Sequence, residues 1–593
     1  MQNQIEKETI SLEKELEEKL FSRNTHRFGV DLNPVVTLTT IALIAILSLY
    51  VFISQRGWFG LSPAIDTFQR MTSAIISGAD WVFILSSNFF IILSLYLAFS
   101  RLGKIRIGGL TAKPEFTNFA WYSMLISAGM GIGLMFWSVG EPLTHLNVTP
   151  PIFENSDHSF SAMASTFLHW GLHPWAIYSV LALALAYFAY NKKLPLSLRS
   201  IFYPLFKDRV FGRLGDVIDI VAVLATLFGL ATSLGLGVQQ INGGMNYLVN
   251  LPISTTFQVL LIIVITAIAT ISIISGIDKG VKVLSQWNMR IAATFMILIF
   301  LLGPTAYIIR LFSNSVGLYL SELIPASFFI SVDEGSERSW QGAWTVFYLA
   351  WWISWSPFVA MFIARVSKGR TIREFILAVL VVPTLLSFVW LSVFGGTAMV
   401  IDQLNQGALY QVVSQDYSIA LFEMIQRLDI GVLKGVVAIV LSVIATMLVI
   451  SFFVTSSDSG SIVVNSITSG GRLKSPARQR VFWAALEGFV AALLLIIGGD
   501  QALSALQAAV IATGLPFAII ITVMSFLLLA SLEQTYRRQK RAVDEKMVLR
   551  AIEDSALDID MDPVYREEKK RKEKEARIRK RKEKEEKKRN ATI

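Results

Sequence analysis

The chain has 593 residues, 53% of them hydrophobic and only 16% charged, where a soluble domain carries about 25% charged residues. Apolar runs of roughly 17–25 residues, each enough to cross a bilayer, recur throughout; this excludes a soluble globular protein and predicts an all-α polytopic membrane protein. The lack of cysteine excludes disulfides, thiolate metal sites and cysteine nucleophiles. The net charge of +9 does not call for nucleic acid, because membrane topology accounts for where the basic residues fall.

The first residues, "MQNQIEKETISLEKELEEKL", are polar and acidic with no apolar core, so no cleavable signal peptide is expected. Residues 1–34 are expected to form an N-terminal extension with helical spacing of Glu, Lys and Leu over 1–30. Hydropathy then places spans at about 35–54, 81–99, 120–139, 163–190, 217–248, 257–277, 290–310, 343–364, 376–400, 431–454, 481–498 and 505–531, twelve in all. Lys and Arg mark cytoplasmic loops, and they alternate: Arg101 to Lys113, Lys192 to Arg213, Lys279 and Lys282, Arg365 to Arg373, and Arg472 to Arg480. The loops 140–162, 249–256 and 499–504 contain neither residue. Both termini are therefore expected in the cytoplasm.

Residues 311–342 are long for a loop, and "SVGLYLSELIPASFF" has apolar residues at helical spacing. This predicts an interfacial helix on the outer side; a mobile loop is the alternative. The end, 532–593, is a charged cytoplasmic tail. Over 566–589 it mixes Glu and Lys at i,i+4, which favours an exposed helix. Anionic lipid attracts such a segment by up to about 1 kcal/mol per basic residue near the surface, and the interleaved glutamates weaken that attraction. A solvated tail without a role is the alternative.

Four intramembrane stretches are ones that helix propensity would not choose. In "SAGMGIGLMFW" of span three, Gly129, Gly131 and Gly133 alternate, although interior glycine costs about 0.8–1.0 kcal/mol against alanine. Positions two apart sit about 200° around the axis, so they form no packing face. An unwound helix with backbone turned to a ligand is expected, since such backbone is tolerated only beside protein or a water-filled cavity; packing glycines in a continuous helix are the alternative.

At the expected end of span ten, "FFVTSSDSGS" gathers the hydroxyls of Thr455, Ser456, Ser457, Ser459 and Ser461. They suit a hard-oxygen cage for an alkali cation, though ordinary serine caps read the same way. Asp458 would cap a following helix or pair with an arginine. "FLHWGLHPWAIY" in span four clusters His169, Trp170, His173, Trp175 and Tyr178 around Pro174, which is expected to bend the chain. The i,i+4 histidines have the spacing of metal ligands, but no acidic residue accompanies them in the span, and packed, hydrogen-bonded imidazoles are the favoured reading.

"LAWWISWSPF" sets Trp351, Trp352 and Trp355 at mid-depth of span eight, away from the headgroup level where Trp344 fits. Aromatic faces attract a desolvated cation by about 2 kcal/mol or more. The central turns of spans three, four, five, eight and ten hold no Lys or Arg to repel one. No nucleotide loop, zinc triad or nucleophile–base pair appears, so an enzyme is not expected.

Together "AGMGIGLMFW", "HWGLHPWAIY", "WWISWSPF" and "TSSDSGS", in that order over about residues 30–535, resemble the betaine–carnitine–choline transporters. The resemblance implies two inverted five-helix repeats of the LeuT-like kind, here 120–310 and 343–531, after two peripheral helices in 35–119. It implies a homotrimer joined partly by the helix near 316–330, in a bacterial inner membrane. It places a substrate trimethylammonium among Trp170, Trp175, Tyr178 and Trp352, with Trp355 and Phe358 along the inward path and Trp351 orienting the ligand.

Choline-taking members commonly carry an acidic residue at the position of Gly133, so glycine there implies a zwitterion such as glycine betaine. Its carboxylate would meet backbone N–H groups over Met130, Gly131 and Gly133. A coupling sodium would bind Ser127 and Met130 carbonyls with Phe452, Thr455 and Ser456; no further cofactor is expected. A second family sodium site keeps Thr226 but has Leu230, which cannot coordinate, at its other threonine position. The expectation is Na+-coupled symport of a compatible solute, regulated osmotically through the tail. The alternatives are a Na+-independent or proton-coupled choline or carnitine carrier, and an osmosensing channel.

Overall fold

The structure is a computed structural model that describes all residues except 1–20, 22, 27–28, 130, 154–155, 275–277, 430, 473–475, 560–562 and 591–593. Long apolar stretches with few turn residues produce a chain of helices. Among the described residues the only β-type pairings are the isolated bridges Thr25–Leu32 and Arg106–Thr371. The part of the expected N-terminal helix that falls on 1–20 lies outside the described residues.

The first unit runs to Leu529. α1 (Pro34–Ser54) starts at Asn33, whose side-chain oxygen accepts from the Val35 and Val36 amides, with proline at the first helical position. α2 (Ala64–Phe99), α3 (Asn118–Gly129), α4 (Ile132–Asn147), α5 (His158–Trp170) and α6 (Leu172–Ala186) follow. Next come α7 (Arg213–Val249), α8 (Thr255–Ile274), α9 (Asp278–Leu302) and α10 (Thr305–Ser321). A π-helical turn, Gly342–Val346, leads into α11 (Phe347–Val366). α12 (Ile372–Leu404), α13 (Lys434–Thr468), α14 (Ala477–Gly498) and α15 (Ala502–Ile559) complete the series.

Helices occupy each of the twelve expected segments, yet among the described residues only eight stretches are long and apolar enough by themselves to cross a bilayer, or nine with one bent pair. Span three is split into α3 and α4, the described apolar part of α8 is short, α9 bends sharply into α10, and α14 and α15 run together as one stretch.

Three local features differ from the sequence expectation. The helix of span four breaks at Gly171 (φ −93°, ψ −127°) rather than at Pro174. Pro174 falls in the first turn of α6, where its missing N–H costs no helix bond. A Cβ on Gly171 would stand 2.5 Å from the Phe167 carbonyl oxygen, so only glycine fits the break. Second, α13 runs unbroken through "TSSDSGS", so Asp458 lies buried inside it and caps no helix. The hydroxyls bond back into their own helix instead: Thr455 Oγ1 donates to the Ser451 carbonyl (3.0 Å) and Ser461 Oγ to that of Asp458 (2.8 Å). Third, the helix expected near 316–330 begins at Thr305 after a 109° turn at Gly303–Pro304. It packs on α5 and α12.

Ahead of α7, Arg199 is fully enclosed and bonds Asp219 (2.6 Å) and Asp216 (3.2 Å), while Arg23 reaches Asp216 at 2.8 Å. A buried guanidinium is tolerable only when so paired. The second unit, Ala530–Ile593, holds the end of α15 and α16 (Pro563–Asn590). On α16 Lys572 pairs with Glu568 at 3.0 Å, which lowers that exposed carboxyl from its ordinary value.

Candidate functional site

The glycine run opens the helix as its spacing demands. α3 stops at Gly129, Gly131 is extended (φ −166°, ψ −160°), and α4 restarts at Ile132 with no side-chain cap. Met130 lies outside the described residues. Gly133, in the first turn of α4, faces two tryptophan tips: a Cβ there would be 2.9 Å from Trp351 Cη2 and 3.1 Å from Trp170 Cη2.

Around that point the structure gathers the aromatic residues into two groups. Trp351 and Trp352 stack with centroids 4.9 Å apart and planes 12° from parallel, and Trp170 meets Trp352 edge-on at 4.9 Å. Trp175 and Tyr178 pair at 5.5 Å, Tyr178 reaches Trp355 at 6.5 Å, and Trp355 meets Phe358 at 5.2 Å. The four rings assigned to one box thus fall as Trp170 with Trp352, and Trp175 with Tyr178. All four are buried, as are Trp351 and Trp355. Close approach of α7 sets the depth of α11: a Cβ on Gly229 would touch the Ser354 carbonyl carbon at 3.0 Å.

The indole N–H groups divide by partner. Trp352 Nε1 donates to the His169 carbonyl (2.9 Å), and Trp170 Nε1 to Glu141 (2.7 Å). Trp351 Nε1, Trp355 Nε1 and Tyr178 OH are buried and make no hydrogen bond. Buried donors of this kind are costly unless something accepts from them. An anionic group reaching them would.

Glu141 is a residue that sequence reading passed over. Fully buried on α4, it receives Tyr348 OH (2.5 Å) as well as Trp170, and His169 Nδ1 lies 2.6 Å from its Oε1. His145 Nε2 is 3.5 Å away, so Glu141, His145 and His169 could together bring three metal-ligating atoms within 4.8 Å. The carboxylate is already engaged by two O–H or N–H donors, however, and His169 Nε2 is 3.1 Å from Thr345 Oγ1 on the π-helical turn. A hydrogen-bonded hub describes the cluster better than a metal centre. His173 likewise meets a side chain, Asn88 Oδ1, at 3.2 Å.

Of the residues assigned to sodium, Phe452, Thr455 and Ser456 lie along α13, with Phe452 buried. Ser127 lies in α3, and its side chain and Met130 fall outside what is described. Thr226 Oγ1 is bonded to the Ala222 carbonyl (2.6 Å). Leu230 is buried against α13, its Cδ1 2.5 Å from where Gly460 would carry a Cβ. Leu230 thus puts hydrocarbon where the second threonine would offer an oxygen.

Comparison with known proteins agrees with this architecture. The family described as betaine/carnitine/choline family transporter matches residues 35–537. The chain is 47% identical over 520 residues to glycine betaine transporter 1 of Vibrio parahaemolyticus, covering 86% of this chain and 95% of that one. It is 46% identical over 514 residues to a glycine betaine/proline/choline/ectoine transporter of the same organism, covering 84% and 87%. It is 40% identical over 536 residues to a glycine betaine transporter of Acinetobacter baylyi, covering 90% and 78%. This chain belongs to the betaine/carnitine/choline family of membrane transporters.

Proposed function

We propose that the protein imports glycine betaine, or a closely similar zwitterionic compatible solute, by sodium-coupled alternating access. Twelve crossings with both termini cytoplasmic, two inverted repeats, a trimeric assembly and a bacterial inner-membrane location belong to the same reading. The observation that carries it is Gly133 between the tips of Trp170 and Trp351, in an aromatic cluster where the buried indole N–H groups of Trp351 and Trp355 make no hydrogen bond. Aromatic faces suit the quaternary ammonium, and free donors suit the carboxylate. An acidic side chain at 133 would compete with that carboxylate. Relatives named as glycine betaine transporters support the same substrate class.

Sodium bound between the unwound α3–α4 junction and Thr455 and Ser456 of α13 would favour the substrate-ready arrangement, and substrate would favour sodium in return. The test is initial uptake of labelled betaine, choline, carnitine and ectoine into proteoliposomes, with and without an inward sodium gradient. Saturable betaine uptake that disappears in potassium buffer is the expected result. Choline or carnitine uptake indifferent to sodium would overturn it, and flux that never saturates would point to a channel.

A further inference from the structure

The cage proposed above has a support that the substrate itself would not touch. Glu141 stands eight residues, about two turns, beyond Gly133 on α4 and is wholly enclosed. Its neighbours come from two other helices: His169 and Trp170 end α5, and Tyr348 begins α11. No Lys or Arg pairs with it among the described residues; its only ion-pair geometry is with His145 and His169. A buried carboxylate with no Lys or Arg partner is among the costlier groups to place in a membrane protein. Filling space alone would need only leucine.

What the carboxylate does is fix orientation. An indole nitrogen can only donate, so the 2.7 Å bond from Trp170 Nε1 to Oε2 decides which way the Trp170 plane turns. That plane presents its Cη2 tip beside Gly133 and its edge to Trp352. The same carboxylate sits against His169, whose backbone carbonyl takes the Trp352 N–H at 2.9 Å. Tyr348, the third neighbour, stacks over Trp352 at 5.8 Å. Both tryptophan walls are therefore referenced to one side chain, and that side chain rides on the helix which begins at the glycine break.

We propose that Glu141 is a positioning residue for the cage, fixing the orientation of Trp170 and, through His169 and Tyr348, of Trp352, the rings whose faces a quaternary ammonium would meet. This rests on the cage reading under Proposed function. It also makes the outer half of α4 and the cage move as one piece, so that rearrangement at the glycine break is felt by the substrate walls.

The experiment is a double-mutant cycle on sodium-driven betaine uptake in proteoliposomes, using Glu141→Gln and Trp170→Phe. Glutamine keeps the size but offers one acceptor and places an N–H₂ against its former donors. Glu141→Gln is expected to raise the KM for betaine about tenfold with Vmax within about twofold of wild type. Phenylalanine at 170 removes the indole N–H, so the two effects should fall well short of multiplying. A KM unchanged by Glu141→Gln, or effects that multiply fully, would overturn the proposal. Should Glu141→Gln not reach the membrane, Tyr348→Phe keeps the carboxylate and removes one donor. A severalfold rise in KM is then expected, and an unchanged KM overturns the proposal equally. Absence of saturable betaine uptake in the wild type would instead refute the cage reading, a result distinct from either.

Discussion

Gly133 and Trp351 approach so closely that a single added methyl would lie 2.9 Å from the indole's Cη2. Indoles are rigid, so the ring rather than a flexible chain end must give way. Gly133→Ala is expected to raise the KM for betaine about tenfold, the size of effect that a displaced wall of a tight pocket produces. Gly133→Asp adds a charge that repels the betaine carboxylate and attracts choline. Betaine uptake should vanish while choline becomes a substrate, which uptake assays with each labelled compound will read.

Trp352 stacks on Trp351 and meets Trp170 edge-on. Replacing it with leucine removes a cation–ring attraction of about 2 kcal/mol, equivalent to about 30-fold in affinity. The KM for betaine should rise by that order. Trp352→Phe, which keeps a ring, should be milder, with membrane content followed by blotting in each case.

The unbonded N–H groups of Trp351 and Trp355 make opposite demands on protein and ligand. Phenylalanine at either position removes a buried donor that the protein leaves unused, so folding should tolerate it. A hydrogen bond to a charged group is worth about 1.5–3 kcal/mol, and its loss should weaken betaine binding about tenfold to a hundredfold. Tryptophan fluorescence quenching by betaine, titrated in detergent, gives the affinity of each variant.

Thr226 and Thr455 both bond back to their own helices, but their surroundings differ. Thr455 keeps hydroxyl lone pairs in a run of serines, whereas Thr226 lies a turn from Leu230, which is packed toward Gly460. Thr455→Ala is expected to raise the sodium concentration for half-maximal uptake about tenfold, the loss of one oxygen ligand. Thr226→Ala should leave it within about twofold. Sodium activation should follow a Hill coefficient near one.

The helix Pro563–Asn590 carries exposed pairs such as Glu568–Lys572, which weaken as ionic strength rises. Deleting residues 545–593 is expected to abolish activation by external osmolality and leave basal uptake intact. Activation that persists in the truncated protein would remove the tail from regulation.

How much of this could be read from sequence depended on whether a signal was local. The break at Gly129–Gly131 was legible because three alternating glycines satisfy neither helix packing nor helix propensity. The break at Gly171 is not where the sequence signal points: Pro174, three residues on, is the stronger breaker in a helix interior, but in a first turn proline is harmless and glycine does the bending. The start of α10 was marked by Gly303–Pro304, a plain helix stop whose 109° turn no hydropathy window registers. Glu141 was invisible for a different reason. It reads as one acid at the edge of an outer loop, and its partners Trp170 and Tyr348 lie 29 and 207 positions along the chain. The pairing of span-four and span-eight tryptophans came through the family resemblance, since nothing in either segment names the other.

The bond from Trp352 to the His169 carbonyl has a consequence for how the protein is made. α5 ends at Trp170 just before Gly171, and its terminal carbonyls need donors from elsewhere. The one that serves His169 is 183 positions further on. During synthesis the first half of the protein thus enters the bilayer with a frayed helix end and, at Glu141, a carboxylate still lacking Tyr348. Polar groups left open in hydrocarbon are poorly tolerated. A nascent chain stalled before residue 347 should consequently be a target for membrane quality control, and completing α11 is the step that releases it.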